Sequence, residues 1–158
     1  MGLANVLTVP GRFDHIRAIA QFVTAGAEAA GLDADAVFHV ELCCDEAAAN
    51  IIEHAYGGED NGDIHVRYSS DERAFTVVLC DNGRPFNPQN IPEPKSVQAD
   101  ADEPEPALRD YLDSLQVGGL GIYFMRKLMD EVKFSFDQDV NAAETGCNIL
   151  TMIKRKRS

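Results

Sequence analysis

Three short segments, far apart along the chain, constrain its fold more than any other feature of the sequence. A predicted helix carries Glu46-Ala47-Ala48-Ala49-Asn50, a predicted strand runs into Asp81-Asn82-Gly83, and Gly118-Gly119-Leu120-Gly121 opens another predicted helix. Carboxylate and amide oxygens bind divalent ions, and glycines before a helix let backbone N–H groups meet phosphate. We therefore expect a nucleotide site assembled from three separated parts of one small domain.

Hydrophobic periodicity places these segments in a definite order of elements. Apolar residues at helical spacing predict helices over residues 14–30, 36–56 and 120–131. Alternating residues and turn signals predict strands over residues 3–9, 62–69, 74–80, 132–137 and 147–153. This order is typical of the α+β class, and we predict a two-layer sandwich with helices packed on one face of a mostly antiparallel mixed sheet.

The chain has 158 residues and is expected to form a single domain, residues 1–158. Within it, residues from about 88 to 117 break the pattern, because they hold five prolines and seven acidic residues against two basic ones. A loop this long inside a compact domain is often a lid or a binding loop. We predict a lid over residues 88–117.

Charge and composition exclude two classes of partner. The net charge is -12, and a surface this acidic repels nucleic-acid phosphates and anionic lipid. The sequence contains no run of ~18 apolar residues, and its start lacks the basic and apolar stretches of a signal peptide. We expect a cytoplasmic protein that binds neither nucleic acid directly nor membrane.

The four cysteines, Cys43, Cys44, Cys80 and Cys147, form no C-x-x-C pair. Neighbouring Cys43 and Cys44 point about 100° apart in a helix, which suits neither a shared metal nor a disulfide. Each cysteine has apolar residues around it in the sequence. We expect buried free thiols in a reducing compartment.

The helix segment offers a surface for metal binding and proton transfer. Glu46 and Asn50 are four residues apart, so their side chains lie on one helix face, away from the predicted core stripe. Mg²⁺ favours oxygen ligands, and a carboxylate near a phosphoryl acceptor can deprotonate a hydroxyl. Taken alone, the segment fits a solvated helix face better, because Glu and Asn are common there.

The other two segments are also ambiguous when each is taken alone. Asp81 at a strand end can accept a hydrogen bond from the exocyclic amine of adenine, and Gly83 lets the backbone approach a flat base. A strand followed by an Asp-Asn-Gly turn is nevertheless very common. The glycine-rich segment matches neither a Walker A loop nor the dinucleotide fingerprint, so only the combination of the three segments indicates a nucleotide site.

In combination, the segments resemble the asparagine box and the two glycine boxes of the GHKL, or Bergerat-fold, ATP-binding superfamily. The finer resemblance is to its single-domain branch, the bacterial anti-sigma factor serine/threonine kinases. The stretches that carry it are Glu41 to Asn50 with His54-Ala55-Tyr56, Asp81 to Phe86, and Gly118 to Ile122 with Leu128-Met129-Asp130-Glu131-Val132. The resemblance spans nearly the whole chain, and it implies ATP as the bound nucleotide and Mg²⁺ as its ion.

The resemblance implies a role for each matched position. Glu46 would be the general base, Asn50 would ligate Mg²⁺, and Asp81 would bind the adenine amino group. Gly83 would lie beneath the base. The further implied contacts are Gly119, Leu120 and Gly121 at the phosphates, an ATP lid over residues 88–117, Arg109 of that lid at a phosphate, and Arg17 at a protein partner.

The implied activity is that of an ATP-dependent serine/threonine protein kinase, which transfers the γ-phosphoryl group to a STAS-domain anti-sigma factor antagonist. The kinase would sequester a sigma factor while the antagonist is phosphorylated, and it would form a homodimer as family members often do.

Two alternatives stay open. One is an ATP-binding interaction module without kinase activity, and the other is a nucleotide-hydrolysing part of a larger system such as a histidine kinase. The presence of Glu46 favours the kinase.

Two features depart from the family pattern. Gly146-Cys147 stands where Gly-Thr is usual, and a thiol is a weaker hydrogen-bond donor to phosphate than a hydroxyl. The acidic lid is unfavourable beside a polyphosphate unless its carboxylates point outward or toward a basic partner.

Overall fold

The computed structural model describes residues 5–85, 119–137 and 147–157. Within these ranges, three helices pack on one face of a five-stranded sheet. The strands are β1 (Asn5–Pro10), β2 (Asp63–Ser70), β3 (Ala74–Asp81), β4 (Glu131–Asp137) and β5 (Cys147–Arg155). The helices are α1 (Ile16–Ala29), α2 (Ala34–Asn50) and α3 (Gly119–Leu128). The predicted lid over residues 88–117, which includes Arg109, lies outside the described residues.

The sheet has the order β1-β2-β3-β5-β4, and all four pairings between its described strands are antiparallel. The predicted two-layer α+β sandwich is confirmed. The described strands include no parallel pair, where a mixed sheet was expected. The last strand, β5, lies between β3 and β4, and this register sets Asp81 of β3 opposite Asn148 of β5.

Local sequence signals set the boundary between the first two helices. Gly31 ends α1 with a φ of 94°, a conformation that glycine adopts without strain. The backbone N–H groups of Gly31 and Leu32 donate to carbonyls of the last turn of α1, in the Schellman pattern. The Asp33 carboxylate then caps α2 by accepting from the Ala36 backbone N–H at 2.8 Å. Gly31 and Asp33 therefore set this boundary through backbone groups within a few residues of themselves.

The end of α2 differs from the prediction of one helix that continues to Tyr56. After Asn50 the chain forms a π-helical turn over Ile51–Ala55, in which the Tyr56 backbone N–H donates to the Ile51 carbonyl at 2.9 Å. Gly57 follows with a φ of 69° and stops the helix. Such wide turns are frequent at functional sites.

The core lies between the helix layer and one face of the sheet. The buried residues from the helix layer include Ile19, Val23, Ala27, Val40, Cys44, Ala47, Ala48, Ile122, Met125 and Met129. They meet Ile64, Val66, Phe75, Val77, Leu79, Leu150 and Met152 from the sheet. These are the apolar stripes that the periodicity predicts. Each large side chain stabilises the fold by about 1.5–3 kcal/mol when it is fully buried.

The cysteines divide into two pairs by exposure. Cys43 and Cys44 of α2 are buried, as expected. Cys80 of β3 and Cys147 of β5 are only half-buried, which corrects the expectation of four buried thiols. All four are free thiols.

None of the described helices is both long enough and apolar enough to cross a bilayer.

Candidate nucleotide-binding site

Asp81, the last residue of β3, lies at the centre of the candidate site. It is 3% exposed, and its Oδ1 accepts hydrogen bonds from the Gly83 backbone N–H and from Asn148 Nδ2, both at 2.8 Å. Burial raises the pKa of this carboxyl, and the two hydrogen bonds oppose that shift. Its Oδ2 has no hydrogen-bond donor among the described residues. The carboxylate is therefore fixed in orientation and retains one acceptor oxygen for a ligand amine.

Asn148 is a site residue that the sequence reasoning missed. It is 8% exposed on β5, and besides Asp81 its amide donates to the Arg84 carbonyl at 2.8 Å. The neighbouring Cys147 occupies the position where the family pattern has threonine, but strand alternation turns its side chain to the opposite sheet face. Asn148, and not Cys147, therefore lines the pocket. The sequence does contain a signal for this residue. Strand alternation places the polar Asn148 on the same sheet face as the apolar Leu150, two residues later, where a core residue would be expected.

The turn after Asp81 packs against the π-helical turn that directly follows the Glu46–Asn50 segment. The Arg84 backbone N–H donates to the Ala55 carbonyl at 2.8 Å, and the Arg84 guanidinium donates to the His54 carbonyl at 2.7 Å. A Cβ on Gly83 would lie 2.5 Å from the Ala55 carbonyl oxygen, so the turn needs glycine there. The sequence suggested Gly83 for its approach to a base, and the close approach in the structure is to Ala55.

Tyr56, which ends the His-Ala-Tyr sequence after the helix segment, has a structural role. Its hydroxyl donates to the Asp63 carbonyl at 2.5 Å and accepts from the Asn82 backbone N–H at 3.0 Å. The ring also packs where a side chain on Gly62 would lie. One side chain therefore links the end of α2 to the start of β2 and to the turn after β3.

Glu46 and Asn50 lie one turn apart on α2, in a more buried setting than a solvated helix face. Asn50 is 7% exposed, and its Nδ2 has no hydrogen-bond partner within the described ranges. Burial, followed by the carboxylates of Asp45 and Glu53, raises the pKa of Glu46 to about 7. A carboxyl that titrates near neutral pH beside an unpartnered buried amide is typical of a functional site.

A pocket between α2, α3 and the sheet brings Asn50 and Asp81 together. Its lining residues are Ala47, Asn50, Ile51, Ala55, Asp81, Met125, Phe134, Ser135, Asn148, Ile149 and Leu150. A mostly apolar wall with a few convergent polar groups suits a flat heteroaromatic ligand. Glu46 lies one helical turn before Asn50 and outside this lining. The predicted adenine contact, Asp81, therefore lines the pocket, and the predicted base, Glu46, does not.

The donor set fits a Mg²⁺ ion held by few protein ligands. In the part of the chain that the structure describes, no group of three or more His, Cys, Asp or Glu side chains is placed to hold a metal. Mg²⁺ is usually bound through one or two protein oxygens, with water and phosphate oxygens in the rest of its shell. The Asn50 amide can offer its Oδ1 to such an ion while its unpartnered Nδ2 donates to a phosphate or a water.

The remaining predicted site residues are not joined to the pocket by any described contact. Gly119, Leu120 and Gly121 form the first turn of α3, as the glycine-rich segment predicts, and their role at the phosphates stays a prediction. Arg17 is exposed on α1, and its role as a partner contact also stays a prediction. Arg109 lies outside the described residues.

Comparison with known protein families matches residues 9–154 to the histidine kinase-like ATPase domain. Serine-protein kinase RsbW of Listeria monocytogenes serotype 4a is 28% identical over 142 residues, which cover 88% of this chain and 83% of the relative. Serine-protein kinase RsbW of Bacillus subtilis is 28% identical over 144 residues, which cover 88% of this chain and 82% of the relative. These similarities confirm the resemblance expected from the three segments and support the class of protein serine kinases.

A solved structure also shares this architecture. A chain in the SiaB–SiaC complex from Pseudomonas aeruginosa matches with a TM-score of 0.61 over 94% of this chain and 88% of that chain. The two sequences are 17% identical, so this likeness concerns the fold alone. It agrees with the predicted α+β sandwich.

Proposed function

This chain belongs to the histidine kinase-like ATPase domain family, and from that premise we propose that it is an ATP-dependent serine/threonine protein kinase that regulates a sigma factor. One observation carries the proposal: a single pocket is lined by an oriented Asp81 and by a buried Asn50 whose Nδ2 has no partner among the described residues. The relatives named serine-protein kinase RsbW support the kinase activity. A STAS-domain antagonist and a sigma factor, as partners, are taken from the resemblance.

Asp81 recognises the adenine in this proposal. Gly83 and Asn148 both donate to Oδ1, so Oδ2 is held ready to accept from the exocyclic amine. Little further ordering is needed when the base enters, and preorganisation of this kind favours affinity. The Gly83 backbone lies beneath the base, and the apolar residues of the pocket cover its faces.

Glu46 is the proposed general base, and Asn50 the proposed Mg²⁺ ligand. A carboxyl with a pKa of about 7 is well matched to this task, since about half of it is ionised at pH 7 and the carboxylate is basic enough to accept a proton. Glu46 takes the proton from a serine or threonine hydroxyl as that oxygen attacks the γ-phosphoryl group. Mg²⁺, when bound, neutralises charge on the phosphate oxygens. Backbone N–H groups of Gly119, Leu120 and Gly121 hold the phosphates.

Charge gives the proposed partner switch a physical basis. A phosphoryl group adds a charge of about -1.5 to -2 to the antagonist. Because this chain has a net charge of -12, it repels the phosphorylated antagonist and is left available to the sigma factor. Arg17, exposed on α1, is the proposed contact for a partner. The solved structure of similar fold comes from a complex of two proteins, which supports a binding role for this architecture.

The proposed kinase activity is tested by identifying the labelled substrate and by comparing two matched variants. Purified protein is incubated with Mg²⁺, a thiophosphate-donating ATP analogue and a lysate of the source organism, and labelled serine and threonine sites are mapped by mass spectrometry. We expect a small STAS-domain protein to be labelled by the wild type and by Glu28→Gln, a control at an exposed glutamate of α1. Glu46→Gln should abolish the labelling. ATP binding without Glu46-dependent labelling would reject the kinase and favour an ATP-gated interaction module.

A further inference from the structure

We propose that Cys80 and Cys147 form a reversible disulfide on the sheet face opposite the pocket, and that this bond weakens ATP binding. Formation of the bond is independent of the proposed kinase function. Its effect on ATP rests on that function, because it acts through the residues assigned to the adenine.

The two cysteines lie on adjacent central strands and on the same face of the sheet. Cys80 of β3 is paired with Ile149 of β5, and Cys147 precedes Ile149 by two residues, so the cysteines are diagonal neighbours. The Cys147 thiol is near enough to Cys80 to raise the pKa of that thiol. Both are half-buried, whereas Cys43 and Cys44 are buried in the core. Because diagonal neighbours lie about 7–8 Å apart, an S–S bond of about 2.0 Å requires the two strands to move toward each other at this point.

The surroundings assign different roles to the two thiols. Asn82 Nδ2 donates to Cys147 Sγ at 3.8 Å, so a polar donor faces this sulfur. Burial raises the pKa of Cys80, and the neighbouring Cys147 and Asp81 raise it further against an opposing effect of Arg67. Cys147 is therefore the thiol that is oxidised first, and Cys80 is the thiol that resolves the product.

Hydrogen peroxide serves as the oxidant. The Cys147 thiol loses its proton, its sulfur attacks one peroxide oxygen, the O–O bond breaks, and the leaving hydroxide takes up that proton as water. The sulfenic acid on Cys147 is then attacked by the Cys80 sulfur, and the hydroxyl leaves with the Cys80 proton as a second water. Two thiols lose two electrons and two protons, and one peroxide becomes two waters.

The position of the pair connects oxidation to the nucleotide site. Cys80 directly precedes Asp81, and Cys147 directly precedes Asn148, the two residues that share a hydrogen bond of 2.8 Å on the pocket side. A disulfide requires a specific separation and dihedral angle, so it adjusts the two strands at this point. Since adjacent residues on a strand face opposite sides, an adjustment on one face displaces the Asp81 carboxylate on the other.

The test uses the full chain and maps the bond before it measures the nucleotide. Protein is treated with hydrogen peroxide, remaining thiols are alkylated, and peptides are analysed by mass spectrometry without reduction. We expect a linked Cys80–Cys147 peptide pair within one molecule that dithiothreitol reverses. Calorimetry should then give an ATP Kd about tenfold higher for the oxidised protein than for the reduced protein.

Variants separate the roles of the thiols. Cys147→Ser should give no bond, Cys80→Ser should leave a sulfenic acid on Cys147 that dimedone traps, and the control Cys43→Ala should keep the bond. Circular dichroism confirms that each variant is folded. Absence of the linked pair, or links only between molecules, overturns the disulfide, and an unchanged ATP Kd after oxidation overturns its effect. If the reduced protein binds no ATP, the proposed kinase fails while a mapped disulfide still stands.

Discussion

The two walls of the pocket differ in how their buried polar groups are satisfied. The sheet wall consists of Asp81, Gly83 and Asn148, which hydrogen-bond to one another. On the helix side the pocket is lined by Asn50 of α2, whose amide Nδ2 is unpartnered among the described residues. Glu46 lies one turn before it, outside the pocket lining, and burial raises the pKa of this carboxyl to about 7. We call these two α2 residues together the helix wall. In the sheet wall, the described hydrogen bonds fix the Asp81 carboxylate and leave its Oδ2 for a ligand. In the helix wall, Asn50 Nδ2 has no described partner at all.

This contrast separates the groups that hold the fold together from those that act on a ligand. A buried polar group without a partner costs about 1–3 kcal/mol, whereas a satisfied pair stabilises the fold. Changes in the sheet wall should therefore lower stability. Changes in the helix wall should lower activity and leave stability nearly unchanged. The following predictions test that division, starting with the largest effect.

The largest expected effect is on the pH dependence of phosphoryl transfer. Only the ionised form of Glu46 is a base, and its pKa is about 7, so the single-turnover rate should fall as the pH falls below that value. We expect about a tenfold loss for each pH unit, or roughly 100-fold at pH 5. Glu46→Gln should remove this dependence and lower the rate at pH 8 by about 10²–10⁴-fold. A variant with the wild-type profile would assign the base to another group.

The next effect compares the same substitution in the two walls. Asn148→Ala removes one of the two donors to Asp81 Oδ1 and the described donor to the Arg84 carbonyl, so the free energy of unfolding should fall by about 2–3 kcal/mol. Asn50→Ala removes an amide nitrogen that has no described partner and should cost about 1 kcal/mol or less. Urea denaturation at pH 7 measures both. Equal losses in the two variants would abolish the distinction between the walls.

A third prediction tests the contact that holds the sheet wall against the π-helical turn. Gly83→Ala places a methyl group 2.5 Å from the Ala55 carbonyl oxygen, so either the turn or the backbone at Ala55 must move. We expect a loss of about 1–3 kcal/mol in the free energy of unfolding. A urea midpoint equal to that of the wild type would mean that the turn moves freely and is not fixed by Ala55.

A fourth prediction concerns the affinity for nucleotide at the helix wall. Asn50→Ala should weaken binding of Mg²⁺·ATP by about tenfold, because the proposed oxygen ligand is lost. Binding of ADP in the presence of EDTA should change little, since adenine recognition by Asp81 is intact. Calorimetry with both nucleotides checks the result. An equal loss for both would place Asn50 at the nucleotide and not at the metal.

The smallest effect is on stability as a function of pH. The pKa of Glu46 is raised from 4.5 to about 7 in the folded chain, so the folded state binds this proton more tightly and stability falls as the pH rises through that interval. Glu46→Gln should therefore raise the Tm at pH 8 and have almost no effect at pH 4.5. Because the carboxyl is only partly buried, we expect about 2 °C or less. Differential scanning fluorimetry with the exposed control Glu28→Gln measures the difference.

Local features were the most predictable part of the molecule. Gly31 and Asp33 cap their helices because both act on backbone groups within a few residues of themselves. The four-residue spacing of Glu46 and Asn50 places them on one helix face in any α-helix. The π-helical turn over Ile51–Ala55 was not predicted, because its apolar residues also fit a continuous α-helix and the turn packs against the distant Arg84.

The sequence by itself determined the order of helices and strands, the apolar stripes and the three segments of the nucleotide site, since each depends on spacing between near neighbours. Tertiary structure alone decided that Asn148 orients Asp81, 67 residues away, because strand register is set by long-range pairing. Tertiary packing also raises the pKa of Glu46 and leaves Asn50 Nδ2 without a hydrogen-bond partner among the described residues. Desolvation depends on what packs around a side chain, and a helical spacing does not contain that information.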